Sequence, residues 1–131
     1  MADALHVELV SADRTVWSGE AAMVIARTVE GDLGVLRGHT PVLSLLSEAV
    51  VEIQVADTSD VIIAAVDGGF LSVAADRVSV LSEHVDLGEE IHVDKAEADL
   101  EHARAQISVM DDAEKRIRYA EARIRAAEKV R

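Results

Sequence analysis

Five histidines, His6, His39, His84, His92 and His102, are the side chains best suited to acid–base work or metal binding, and their spacing supports neither. No two stand four apart around a glutamate, the arrangement that presents two imidazoles and a base to one zinc ion. Serine and histidine occur without the G-x-S-x-G turn that lifts a nucleophile out of a sheet. Asp111 and Asp112 are neighbouring carboxylates, but adjacent residues on a helix point in different directions, so capping is the better role for them. His6 falls at a polar position of a strand pattern and His102 on the outer face of a helical one, which makes both solvated surface. The most unusual stretch is Gly31-Asp32-Leu33-Gly34-Val35-Leu36-Arg37-Gly38-His39-Thr40-Pro41. It lacks the Gly-Lys-Ser/Thr ending of a phosphate loop and reads as a glycine-supported turn between strands. Such loops are where a rigid scaffold carries contact residues.

The elements that must position these residues are aliphatic. Half of the 131 residues are hydrophobic, yet there is one Phe, one Trp and one Tyr, so no aromatic platform exists for stacking bases or sugars. The absence of cysteine excludes disulfides and thiolate metal sites and fits a cytosolic setting. A net charge of −12 opposes binding to nucleic-acid phosphates. No basic region followed by an apolar run opens the chain, and no apolar segment approaches the roughly 20 residues that span a bilayer, so neither secretion nor membrane insertion is expected. The charge is unevenly spread: residues 1–93 hold 16 acidic and 4 basic side chains, whereas residues 94–131 hold 9 of each. Two electrostatic bodies meet near Asp94.

The first body alternates apolar residues with period two at Leu5, Val7 and Leu9, at Val51, Ile53 and Val55, and at Val78 and Val80. Val61 to Val66 is a continuous apolar run, as in a strand buried on both faces. Asp67-Gly68-Gly69 follows it and leads into Phe70-Leu71-Ser72-Val73; paired glycines supply positive φ, so a tight antiparallel hairpin is expected there. Further turns are expected at Ala12 to Arg14, Gly31 to Gly38, Asp57 to Asp60 and Ala75 to Arg77, with Gly31, Gly34, Gly38, Gly68 and Gly69 as structural turn residues. Many short strands with turns at this spacing indicate a sandwich or barrel.

After Gly88 the period changes. Ala96, Leu100, Ala103 and Ile107, and then Ala113, Ile117, Ala120 and Ile124, each form one stripe on a helix, with Asp94 and Asp111 as N-caps. Asp112 with Arg116, Glu114 with Arg118 and Glu121 with Arg125 are acid-first i,i+4 pairs. The break at Ser108 to Asp111 is short, so the helices should form an antiparallel hairpin. The expected organisation is a β-sandwich over residues 1–88, a linker over 89–93 and a helical hairpin over 94–131. Because the stripes are rich in alanine, the hairpin should be weakly held and able to detach.

Three segments, read together, resemble the ε subunit of F-type ATP synthases, the small subunit of the central rotor. Val7 to Gly19, VELVSADRTVWSG, matches the family's first strands; Gly31 to Leu43, GDLGVLRGHTPVL, is similar to its G-E-x-G-x-x-P-G-H-x-P-L loop; and Val66 to Glu83, VDGGFLSVAADRVSVLSE, is close to its G-G-x-x-x-V hairpin and following strand. The resemblance implies an α+β fold, an antiparallel β-sandwich of about ten strands followed by the two-helix hairpin. It also implies the γ subunit and the ring of c subunits as partners of the sandwich. Through its C-terminal helices the chain would reach the alpha/beta catalytic head and inhibit ATP hydrolysis. It would sit peripherally on the cytoplasmic face of a bacterial plasma membrane, in a proton-translocating machine, without catalytic residues, cofactor, nucleic acid or membrane insertion of its own.

By position, Asp32 takes the place of the family's loop glutamate and His39 that of its loop histidine, both near the ring contact. Arg37 stands where the family has proline, so the family's loop shape is not carried over there. Some members bind ATP through an Ile-Asp-x-x-Arg-Ala run in the second helix; here Lys115-Arg116-Ile117-Arg118-Tyr119-Ala120 replaces aspartate by arginine and arginine by tyrosine, which does not support ATP sensing. Competing readings are a free-standing β-sandwich adaptor whose tail binds a partner helix, and a small enzyme with an unrecognised site.

Overall fold

A computed structural model describes residues 4–109 and 112–130. The alternating apolar residues behave as strands with one face in a core. In β1 (Leu5–Val10), Leu5, Val7 and Leu9 are fully buried while His6 and Glu8 face water. The chain continues through β2 (Thr15–Thr28), β3 (Gly31–Leu36), β4 (Val42–Val55), β5 (Val61–Ala74), β6 (Arg77–Leu81) and β7 (Val85–Leu87). The hydrogen-bonded order is β1-β6-β5-β4-β2-β3, with β7 on β5, and β1 also pairs β2, so the sheet closes on itself around an aliphatic core. All pairings are antiparallel except β1 with β6, which run parallel.

Seven strands are present among the described residues, where the resemblance implies about ten. The difference lies in β2, β4 and β5, each 14 residues long. β2 pairs β1 with its first half and β3 and β4 with its second; β5 pairs β7 first and β6 afterwards. Each long strand thus contributes two segments to a sandwich with continuous corners.

The expected hairpin at Gly68-Gly69 is one of these corners. β5 runs through both glycines and stays antiparallel to β4 in unbroken register, from Val61 opposite Gln54 to Val73 opposite Val42. Positive φ there, 72° at Gly68 and 106° at Gly69, bends the strand without reversing it. A Cβ on Gly69 would lie 1.9 Å from the Leu81 carbonyl oxygen. The Val61 to Val66 run does face two apolar surroundings: Ile62, Ala64 and Val66 meet the sandwich core, and Ile63 and Ala65 lie beneath a helix. Gly31 to Leu36 is likewise strand and not turn; Gly34 sits mid-strand opposite Ile25, while Gly31 (φ 130°) and Gly38 (φ 84°) mark its two ends.

Past a short 3₁₀ turn (Gly88–Glu90) come α1 (Val93–Ala105) and α2 (Ala113–Lys129). His92 and Asp112 are the N-cap residues, and neither side chain makes a capping hydrogen bond. Asp94 lies inside the first turn of α1, where the dipole favours its charge; Asp111 lies outside the described residues. α2 lies against β4, β5 and the 3₁₀ turn, and α1 lies against α2.

The residues that seal this packing are Ala65, Ile91, Ala96, Ala122, Ala126 and Ala127, whereas Leu100, Ile117 and Ile124 are only half-buried and Ile107 is exposed beyond the end of α1. Small side chains let the backbones approach closely. A Cβ on Gly88 would meet the Ala126 carbonyl oxygen at 2.7 Å.

Candidate partner-binding surfaces

Cross-strand register fixes Asp32. It stands opposite Arg27 of β2, whose Nε and Nη2 donate to its two carboxylate oxygens at 2.9 and 3.2 Å, and both side chains are exposed. Asp32 lies next to the β2–β3 turn, and His39 lies beyond the other end of β3. Six residues at about 3.3 Å each separate the two ends, so Asp32 and His39 belong to opposite ends of one edge strand and not to one loop.

Arg37, Gly38 and His39 form the loop that follows β3. The Gly38 N–H donates to Asp76 Oδ1 at 2.7 Å and the His39 N–H to the Leu36 carbonyl at 3.1 Å. Asp76 and Ala75 both have positive φ in the tight β5–β6 turn, so that turn ties down the loop. His39 Nδ1 is 2.7 Å from the Thr40 carbonyl oxygen, which can only accept. A proton on Nδ1 would let the ring donate to that carbonyl.

An apolar row escaped the sequence reading. Register places Leu45 of β4 opposite Phe70 of β5, Phe70 opposite Leu81 of β6, and Leu81 beside Val10 of β1. All point away from the core: Leu45 is 51%, Phe70 50% and Leu81 44% exposed, and Leu43, two residues along the same face, is 72% exposed. Contiguous large apolar side chains across four strands mark a protein contact more often than plain surface. A cleft of about 470 Å³ at one end of the row is lined by Val10, Phe70, Leu81 and, from α2, Lys115. The signal was present in the sequence, since the single Phe has outward parity beside Leu71 and Val73, which turn inward.

The third surface is the seam between hairpin and sandwich. Arg118 Nε donates to Glu48 Oε1 at 2.8 Å, Lys129 lies 3.2 Å from Glu52, and the Tyr119 hydroxyl donates to Asp86 Oδ2 at 2.7 Å. Glu48 is nearly fully buried, so its charge requires that arginine. Burial, with the Asp86 hydrogen bond and charge behind it, pushes the Tyr119 phenol well above the ordinary tyrosine value of 10.0. Arg123 lies 5.7 Å over the Tyr119 ring and donates from Nη1 to Asp99 of α1 at 2.8 Å. That hydrogen bond holds the Asp99 carboxyl below its usual 3.8. The acid-first pair Glu114–Arg118 expected within α2 gives way here, because Arg118 reaches across to the sheet.

No group of three or more His, Cys, Asp or Glu side chains among the described residues could hold a metal ion. The same residues contain no helix long and apolar enough to cross a membrane.

The chain is a closed β-sandwich carrying a docked helical hairpin, with apolar and charged side chains turned outward. The family model for the ATP synthase delta/epsilon chain β-sandwich domain matches residues 4–88. The ATP synthase epsilon chain of Streptomyces griseus is 48% identical over 126 residues, spanning 96% of this chain and 97% of that one. That of Thermobifida fusca is 50% identical over 127 residues, spanning 94% and 91%. A chain in the cryo-EM structure of the Euglena gracilis mitochondrial ATP synthase, which includes the c-ring, superposes with TM-score 0.75 at 25% identity, covering 99% of this chain and 82% of that one. A chain of the central stalk and c-ring of the Tetrahymena thermophila enzyme has the same fold, with TM-score 0.60 at 16% identity. The protein belongs to the ATP synthase epsilon chain family.

Proposed function

We propose that this chain is a non-catalytic rotor subunit that couples rotation of a c-ring to the catalytic head and restrains ATP hydrolysis through its hairpin. The apolar row Val10, Leu45, Phe70 and Leu81 carries the reading, as the seat of the γ subunit. A helix laid on four strands can bury such a row, and a lone soluble domain gains nothing from exposing it. Asp32, Arg37 and His39, at the ends of β3, are the contacts to the polar loops of the ring. The sandwich then transmits torque, while α1 and α2, docked on another face, are free to exchange their partners for the catalytic head. In this reading the protein sits peripherally on the cytoplasmic face of a proton-translocating membrane complex and performs no chemistry of its own. In this reading residues 4–88 and the helices are separable units, and the family model ends at residue 88, at the 3₁₀ turn before α1.

The test is capture by the tagged full-length chain. Wild type should retain the γ subunit and with it the catalytic head, and a variant carrying both Phe70→Asp and Leu81→Asp should retain neither while keeping a native circular dichroism spectrum. Equal capture by the variant would remove the row from the interface, and no capture by wild type would favour the free-standing adaptor.

A further inference from the structure

The seam between the helices and the sheet is asymmetric. α2 is fastened to the sandwich by three polar contacts, Arg118 to Glu48 and Tyr119 to Asp86 from one turn and Lys129 to Glu52 from its last, and by alanines closing on Ala65 and on the Gly88 backbone. α1 lies on α2 and is fastened to it through Ala96 and Ala103, the exposed pair Arg104–Glu121 at 3.6 Å, and Arg123 with Asp99 at 2.8 Å. Arg123 touches both neighbours of α2. Its side chain is 13% exposed, Nη1 serves Asp99, and Nε lies 3.4 Å from an Asp86 carboxylate whose hydrogen bond is already given by Tyr119. Among the described residues, the buried side-chain polar atoms without a hydrogen-bond partner are Arg123 Nε and Gln106 Oε1, one at this pin and one at the end of α1. Arg123 thus gives its hydrogen bond to α1, while its unsatisfied Nε faces Asp86 on the sheet side.

We propose that the hairpin leaves the sandwich in two steps, with α1 released first by breaking the Arg123–Asp99 pin while α2 stays on the sheet, and α2 released only afterwards. Arg123 is a positioning residue in this scheme. It holds α1 through α2, so nothing retains α1 once α2 has gone. The inference concerns the chain alone and stands whether or not a ring and a stalk are its partners.

Hydrogen exchange of the full chain, read separately over Val93–Ala105, Ala113–Lys129 and β5, tests the order. Asp99→Asn should speed exchange in α1 by about ten-fold or more and leave α2 and β5 unchanged. It should also leave the ionisation of Tyr119 where it was, because the Asp86 hydrogen bond survives. Arg123→Gln should loosen α1 as much, and α2 less. Arg118→Gln combined with Lys129→Gln should loosen both helices together, since α1 rides on α2. Equal acceleration of both helices in Asp99→Asn would make the hairpin one cooperative unit and overturn the proposal. So would an α1 that stays protected while α2 opens, or an α1 unmoved by Asp99→Asn. Exchange in β5 reports the fold in every variant, and Asp99→Asn is nearly isosteric at a partly exposed position, so unfolding cannot imitate the expected pattern.

Discussion

Tyr119 is the single tyrosine of the sequence, so its phenolate absorbance reads one site without deconvolution. Its raised pKa gives stability to the docked state that is complete below the ordinary value of 10.0 and is lost as pH rises beyond it, because the released phenol ionises first. In the folded chain the phenol should stay neutral through the pH range where a free tyrosine titrates, and Asp86→Asn should bring its ionisation down toward the ordinary value. A titration already at the ordinary value in wild type would place Tyr119 in water. Asp99 has the opposite sign: its lowered pKa contributes above 3.8 and is lost as pH falls through the folded value, so α1 should loosen in acid before the sandwich does. Solvent screens that contribution, since the side chain is 42% exposed. Removing Asp32 and His39 together by alanine should alter stability by under about 1 kcal/mol, as the Arg27–Asp32 pair is exposed. Coupling between ring and stalk should weaken, and normal gradient-driven ATP synthesis in that double variant would remove β3 from the ring contact.

At the scale of elements, two glycines carry separate burdens. Gly69→Ala places a Cβ on the Leu81 carbonyl at a backbone conformation that costs roughly 1–3 kcal/mol by itself, so thermal melting should drop for the whole sandwich. Gly88→Ala meets the Ala126 carbonyl instead. It should leave the sandwich melting unchanged and lift α2, seen as a Tyr119 titration that returns to the ordinary range. The strands and helices themselves were legible from periods of two and of 3.6, because each element shows one apolar face. The corner at Gly68-Gly69 was not, since paired glycines allow a reversal and a bend alike. Only the pairing of both halves of β5 with β4 decides between them. The docking residues were half legible: the stripes named Ala96, Ala103, Ala113 and Ala120, but Ala122 and Ala126 face the sheet on a second side of α2 that a single-stripe reading leaves out.

The charge split acquires a meaning at the scale of the whole molecule. Residues 1–93 carry 16 acidic against 4 basic side chains, while α2 carries six basic and three acidic ones, so a cationic helix lies on an anionic sandwich. Partly exposed pairs such as Lys129–Glu52 are screened over about 8 Å at physiological salt, so raising salt should speed hydrogen exchange in the helices while β5 is unaffected. Composition showed the two bodies, but not that one caps the other. The apolar row depends on cross-strand register that no single segment contains, and Asp32 and His39 read as members of one loop because three glycines in eight residues mask the six-residue strand.

The most direct measurement of the division of labour is to truncate the chain before Asp94 and assay ATP synthesis and hydrolysis in membranes carrying the complex. If the proposed γ and ring contacts both lie in the sandwich, the truncated subunit should assemble and support gradient-driven synthesis, with hydrolysis equal to or above that of the full chain. A complex that assembles with the truncated subunit and yet cannot make ATP would contradict the account, placing coupling in the helices and not in the sandwich.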